Sequence, residues 1–236
     1  MSRHKKFEPH HQNTTSKLNK LRAAVLGAND GIVSIAGLVV GVAGATTNRT
    51  AIFTAGIAGI LAGAFSMAAG EYVSVSSQRD TERALLKLEK SELEQFPEQE
   101  LEELTEIYIS KGLSAKTAES VAKELTARDA YRAHLDAELA INPDDLVNPW
   151  QAAFSSAAAF FAGSLLPMLA IMLPPENIRV AVTFVSTVVA LAINGGLSAR
   201  FGGAPVMTAI MRVVTGGALA MIVTYTVGRI IGTTSL

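Results

Sequence analysis

The chain has 236 residues, 49% of them hydrophobic, a formal net charge of −1 and no cysteine. The missing thiols exclude structural disulfides and thiolate metal sites, which argues against a Cu(I) or cysteine-zinc protein. The small net charge averages two unlike parts, long uncharged apolar runs and a block at 77–148 with seventeen Asp/Glu against nine Lys/Arg. So acidic a block is a poor surface for nucleic acid or anionic lipid and a good one for cations.

In chain order, residues 1–20 are polar and aperiodic and read as a mobile tail. Its His4, His10 and His11 could hold a metal, but an unstructured arm is the plainer reading. The apolar run 21–45 is too long for a signal-peptide core and has no convincing cleavage site, so it reads as a retained helix. A second run covers 51–76. No helix breaker occurs between Ala51 and Pro97, so one helix is expected to continue well past the membrane. Pro97 suits the first turn of a new helix and Gly112 its end, and Ser114 suits the N-cap of a third helix reaching about Ile141. Pro143 and Pro149 lead the chain back to apolar runs at 150–173, 180–198 and 205–232.

Each run can cross a hydrocarbon core of ~30 Å at ~1.5 Å per residue, and no strand-like alternation appears. The expected fold is an all-α membrane protein with five transmembrane helices and a cytoplasmic three-helix acidic domain inserted between helices 2 and 3. The domains are then the tail 1–20, helices 1–2 at 21–76, the acidic metal-binding domain at 77–148, and helices 3–5 at 149–236. Seventeen of the twenty Lys/Arg fall in the tail and first-span entry, the acidic block and the turn near 200–212; Arg49, Arg179 and Arg229 fall on the other side. That asymmetry puts the N-terminus and acidic block in the cytoplasm and the C-terminus outside.

Asp30 lies about two turns inside the first span, where a carboxylate costs at least ~2.5–3.5 kcal/mol and usually faces a bundle interior or a water-filled path. Counting depth from the cytoplasmic ends of spans 1 and 2 puts Met67 at the same level, with Glu71 one turn nearer the mouth. A carboxylate beside a thioether suits a borderline cation such as Fe2+ better than Ca2+ or Mg2+. The bland alternative makes Met67 packing filler and Asp30 a local cap. Small residues also recur on both spans, with G-x-x-x-G spacings at Gly27/Gly31 and Gly37/Gly41 that permit close helix approach.

In the acidic block, acids share helical stripes with apolar residues: Glu89 and Glu92 with Leu85 and Phe96; Glu100 and Glu103 with Leu104 and Ile107; His134 and Glu138 with Tyr131 and Leu135. If the stripes face inward, the carboxylates repel one another unless cations neutralise them. If they face outward, they are only a solvated surface. Spacing leaves both open.

Five segments together carry a resemblance: "GANDGIVSIAGLVVGVAGA", "AGAFSMAAGEYVSVSSQ", "ELEQFPEQELEEL", "YISKGLS" and "NPWQAAFSSAAAFFAGSLLPML". In this order the chain resembles the vacuolar iron transporter family over about residues 20–234. The resemblance implies a five-span homodimer that moves Fe2+, often also Mn2+, out of the cytosol in exchange for protons along a path between protomers. It implies path roles for Asp30, Met67 and Glu71, and metal-binding roles for Glu89, Glu92, Glu100, Glu103 and Glu138. The methionine pair of plant members is replaced by His134 and Leu135, and His134 remains a candidate ligand. That departure and the short tail look bacterial, implying efflux across the bacterial cell (inner) membrane.

The expected partners are divalent metal ions, protons, the lipid bilayer and a second copy of the chain, with no nucleic acid. No cofactor and no enzymatic activity are expected. A carboxylate-bridged di-iron enzyme would want Glu-x-x-His pairs, and His134 has Tyr131 at i−3. A membrane-anchored metal sensor or organising protein without transport is the alternative, and it leaves Asp30 without a purpose.

Overall fold

The computed structural model describes residues 14–144 and 146–234; His4, His10 and His11 lie outside the described residues. Among the described residues the regular structure is entirely helical. The elements are α1 (Thr14–Ala45), α2 (Arg49–Gln95), α3 (Pro97–Ser110), α4 (Ala115–His134), a π-helical turn (Leu135–Leu139), α5 (Pro149–Met172), α6 (Arg179–Gly202) and α7 (Val206–Thr234). Five helices, α1 from Ala24 together with α2, α5, α6 and α7, are long and apolar enough to cross a membrane. As the lack of a breaker predicts, α2 runs unbroken for 47 residues. α1 starts earlier than its apolar run, inside the segment read as a tail.

The chain divides into two compact units, Met1–Tyr72 with Pro149–Leu236, and Val73–Asn148. In the first, α1 is the central helix and packs against α5, α6 and α7. Its glycines are the reason it can. A Cβ at Gly31 would overlap the Phe160 carbonyl oxygen on α5, and one at Gly163 would overlap that of Ala28. On the opposite side, a Cβ at Gly228 of α7 would overlap the Gly41 carbonyl oxygen.

The close approach that the G-x-x-x-G spacings permit is used within the chain at the second pair. Gly37 and Gly41 are covered by Thr224 of the same chain, 3.7 and 3.2 Å from where their Cβ atoms would lie. A central helix uses up its small residues on its own neighbours.

The glycines of α2 work differently. Gly59 and Gly63 receive the Leu38 and Phe160 side chains, and Gly56 receives Met168. Large side chains thus bridge α2 to a core containing Ile35, Val39, Ile52, Ile60 and Ile171. Gly70 has nothing within 4 Å of its Cβ position.

Arg49 and Arg179 have structural work. Arg49 Nη2 donates to Pro174 O at 3.2 Å, and buried Arg179 donates to Thr47 O at 3.0 Å. Each guanidinium satisfies a loop carbonyl that no helix can.

The close approach of α1 and α7 makes a stability prediction. Gly228→Leu should destabilise the protein by at least the ~1–3 kcal/mol typical of overpacking, because its clash is with backbone. Gly70→Leu meets no such obstacle and should leave the fold intact. Thermal unfolding in detergent checks both, and an unshifted transition for Gly228→Leu would mean that α7 is not seated on α1 in this register.

In the second unit, α2 ends at Gln95, and Pro97 starts α3 as expected, directly after the N-cap Phe96. Ser114 caps α4 by accepting from Thr117 N at 3.3 Å. The core is small: Leu104, Ala118, Ala122 and Leu135 are fully buried. The expected third helix is not uniform. α4 breaks at Asp129 (φ −165°, ψ 92°), whose carboxylate accepts from Arg132 N at 3.0 Å and restarts the helix. After His134 it widens into the π turn, which Ala140 ends in a left-handed conformation (φ 51°, ψ 32°).

Candidate metal sites

Two sites arise, one in each unit. In the first unit Asp30 of α1 is half-buried and accepts a hydrogen bond from Ser34 Oγ at 2.5 Å. The pair opens onto a cavity of about 200 Å3 whose lining includes Asp30, Ser34, Gly59, Gly63, Ser66 and Met67. The equal depth expected of Asp30 and Met67 therefore corresponds to a shared space. Glu71, one turn on along α2, is half-buried and lies outside that lining. Two hydroxyls were missed by the sequence reading of the site. Ser34 and Ser66 are ordinary small residues of their spans, and helical spacing does not single them out. The cavity combines a carboxylate, two hydroxyls and a thioether, a mixed donor set that a borderline divalent cation accepts better than Ca2+ or Mg2+.

The second site is built by three helices. Glu89 comes from the C-terminal part of α2, Glu100 from the first turn of α3 and His134 from the end of α4. One ligand atom from each lies within 4.8 Å of the others. The imidazole is fully buried, and Glu89 and Glu100 are 3% and 7% exposed. His134 Nδ1 is 3.1 Å from a Glu89 oxygen, 3.6 Å from Glu100 and 3.7 Å from Glu138. Yet neither His134 nitrogen makes a hydrogen bond, and nor does Glu89 Oε1. Buried polar atoms are normally satisfied. Ligand atoms that converge in this way could hold a cation.

Electrostatics agree. The Glu89 carboxyl is pushed up to about 7, first by burial, then by repulsion from Glu138 and Glu100, a hydrogen bond with Glu138, and repulsion from Glu92. Glu100 is also raised, by burial first and then by Glu103, with His134 partly opposing. Among the described residues no Lys or Arg forms an ion pair with these acids.

The six acidic-unit candidates thus separate. Glu89, Glu100 and His134 converge, and Glu138 reaches the same imidazole with its side chain 31% exposed. Glu92 is half-buried and Glu103 exposed, and both act on the cluster through charge. His134 is the residue that Glu89, Glu100 and Glu138 all face.

Residues 21–229 match the model of the VIT family. The chain belongs to the VIT family. Its relatives include a vacuolar iron transporter of Acanthamoeba castellanii, 43% identical over 92% of this chain and 81% of that protein. Vacuolar iron transporter homolog 2.1 of Arabidopsis thaliana is 35% identical over 92% of this chain and 83% of its own length. Vacuolar iron transporter homolog 2 of Oryza sativa subsp. japonica is 36% identical over 90% and 91%. With five membrane-length helices, this VIT-family chain is a multi-pass membrane protein, and both candidate sites lie inside the matched region.

Proposed function

We propose that this VIT-family protein transports Fe2+, and also Mn2+, out of the cytosol in exchange for protons, serving metal homeostasis and detoxification. The observation that carries this reading is the cavity that Asp30 shares with Met67 between membrane-length helices. A charge held there at a cost of several kcal/mol is accounted for if it neutralises a cation in transit. Glu71 widens the acidic entrance. The relatives' names as iron transporters support the cargo.

The acidic unit loads the path. Glu89, Glu100, His134 and Glu138 bind the cation, and Glu92 and Glu103 raise its local concentration. The working form is a homodimer in which the partner covers the open side of the cavity. In support, Ser34 and Ser66 are exposed in a single chain and Gly70 is unopposed. The Lys/Arg distribution orients the tail and acidic unit to the cytosol and the C-terminus to the opposite side. The assignment to a bacterial cell membrane rests on the residues at His134 and Leu135.

Flux in proteoliposomes tests the reading. Purified protein should move Fe2+ and Mn2+, faster when a pH gradient supplies protons from the opposite side, and should move protons the other way. Metal binding without any flux would favour a metal-sensing or membrane-organising protein.

A further inference from the structure

The segment "YISKGLS" contributes no metal ligand, yet its lysine reaches the metal cluster's scaffold. Lys111 caps the C-terminus of α3, and Gly112 (φ +100°) turns the chain directly after it. Its ammonium lies 5.3 Å from the centroid of the Tyr108 ring and donates to Ala137 O at 2.7 Å. Ala137 is in the π turn, immediately before Glu138. An α-helix would offer the Ala137 carbonyl the N–H of Ile141. Here Ile141 N–H instead goes to Leu135 O at 3.3 Å, as does the N–H of Ala140. The Ala137 carbonyl is thus one of the orphan acceptors of a helix end, and a lysine from a neighbouring helix satisfies it.

We propose that Lys111 is a positioning residue for the metal cluster: by holding the Ala137 carbonyl it keeps the π turn wide and Glu138 against His134. This rests on the reading of that cluster as a cation site. π-helical turns are uncommon and concentrate at functional sites. This one joins two of the cluster's members, His134 and Glu138, and ends in a left-handed alanine, a conformation that a β-carbon disfavours. Such a turn needs an external hold, and Lys111 supplies it.

The sign of the effect separates positioning from charge. Lys111 is a cation near an acidic site, so by charge alone its removal should tighten metal binding. Positioning predicts the opposite. Co2+ alone is titrated into the full-length protein in detergent, with Asp30→Asn in every sample to silence the membrane cavity, reading both affinity and the visible Co2+ band. Lys111→Met should weaken binding about fivefold, the scale of one lost hydrogen bond, and change the band. Lys111→Arg, which keeps a donor, should restore both. Glu138→Gln should weaken binding, and adding Lys111→Met to it should do little more, because both act through one group. Tighter or unchanged binding in Lys111→Met overturns the proposal, as does additivity with Glu138→Gln. Absence of Co2+ binding in the reference protein overturns the cluster reading itself, and this inference with it.

Discussion

Asp30→Asn should abolish metal flux, by at least about a hundredfold, while leaving the protein folded. The asparagine keeps the shape and can still accept from Ser34, so the local hydrogen bond at 2.5 Å survives. What is lost is the one carboxylate that, among the described residues, lines the cavity with Met67 and Ser66. Changes around a metal, even behind its ligands, cost about 10–100-fold in affinity, so losing the charged ligand should cost at least that. More metal should not restore flux, because the defect is in passage and proton exchange. Initial rates of Mn2+ uptake into proteoliposomes over a wide metal range decide it. A wild-type rate in the purified variant would remove Asp30 from the mechanism.

The acidic cluster should fail differently. Glu89→Gln with Glu100→Gln should weaken metal binding to the full-length protein by about a hundredfold or more. It should also raise the metal concentration needed for half-maximal flux, with flux recovering at high metal. Without metal, the same variant should melt higher than the wild type, because two buried, mutually repelling carboxyls are gone.

The pH dependence follows from Glu89. Its carboxyl is raised from 4.5 to about 7, so the metal-free fold holds a proton there that the unfolded chain releases earlier. The stability contributed by that proton is full below about pH 4.5 and is lost as pH rises through about 7. Metal has the opposite slope, since it needs the ionised form: binding should weaken as pH falls below about 7, by about tenfold per unit where one proton is displaced. Metal-free melting that is lower at about pH 8 than at about pH 5.5, with metal reversing the trend, is the expected pattern for the wild type. A double variant that retains the wild-type pH slope would show that another group sets it.

Much of this molecule is determined by local features. The ends of α3 follow from Pro97 and the Lys111–Gly112 corner, the start of α4 from Ser114, and the length of α2 from the lack of a breaker before Pro97. Five apolar runs and an acidic block between the second and third are plain in the residue order, because helix period and breakers act over a few residues. The candidate residues were legible too, Asp30 from the cost of its position and the acids from their stripes.

Tertiary structure decided which of them meet. Glu100 and Glu103 are three residues apart on one stripe, yet packing buries the first and leaves the second exposed. Gly37 and Gly41 could have faced any helix, and α7 took them. Ser66 reads as an ordinary small residue until α1 and α2 enclose a cavity beside it. The break at Asp129 and the π turn carry no periodic signal, although they set where His134 and Glu138 point. Local rules assign a residue to a face of its own helix; whether three such faces converge depends on helix rotations and separations set by the packing of residues distant in the chain.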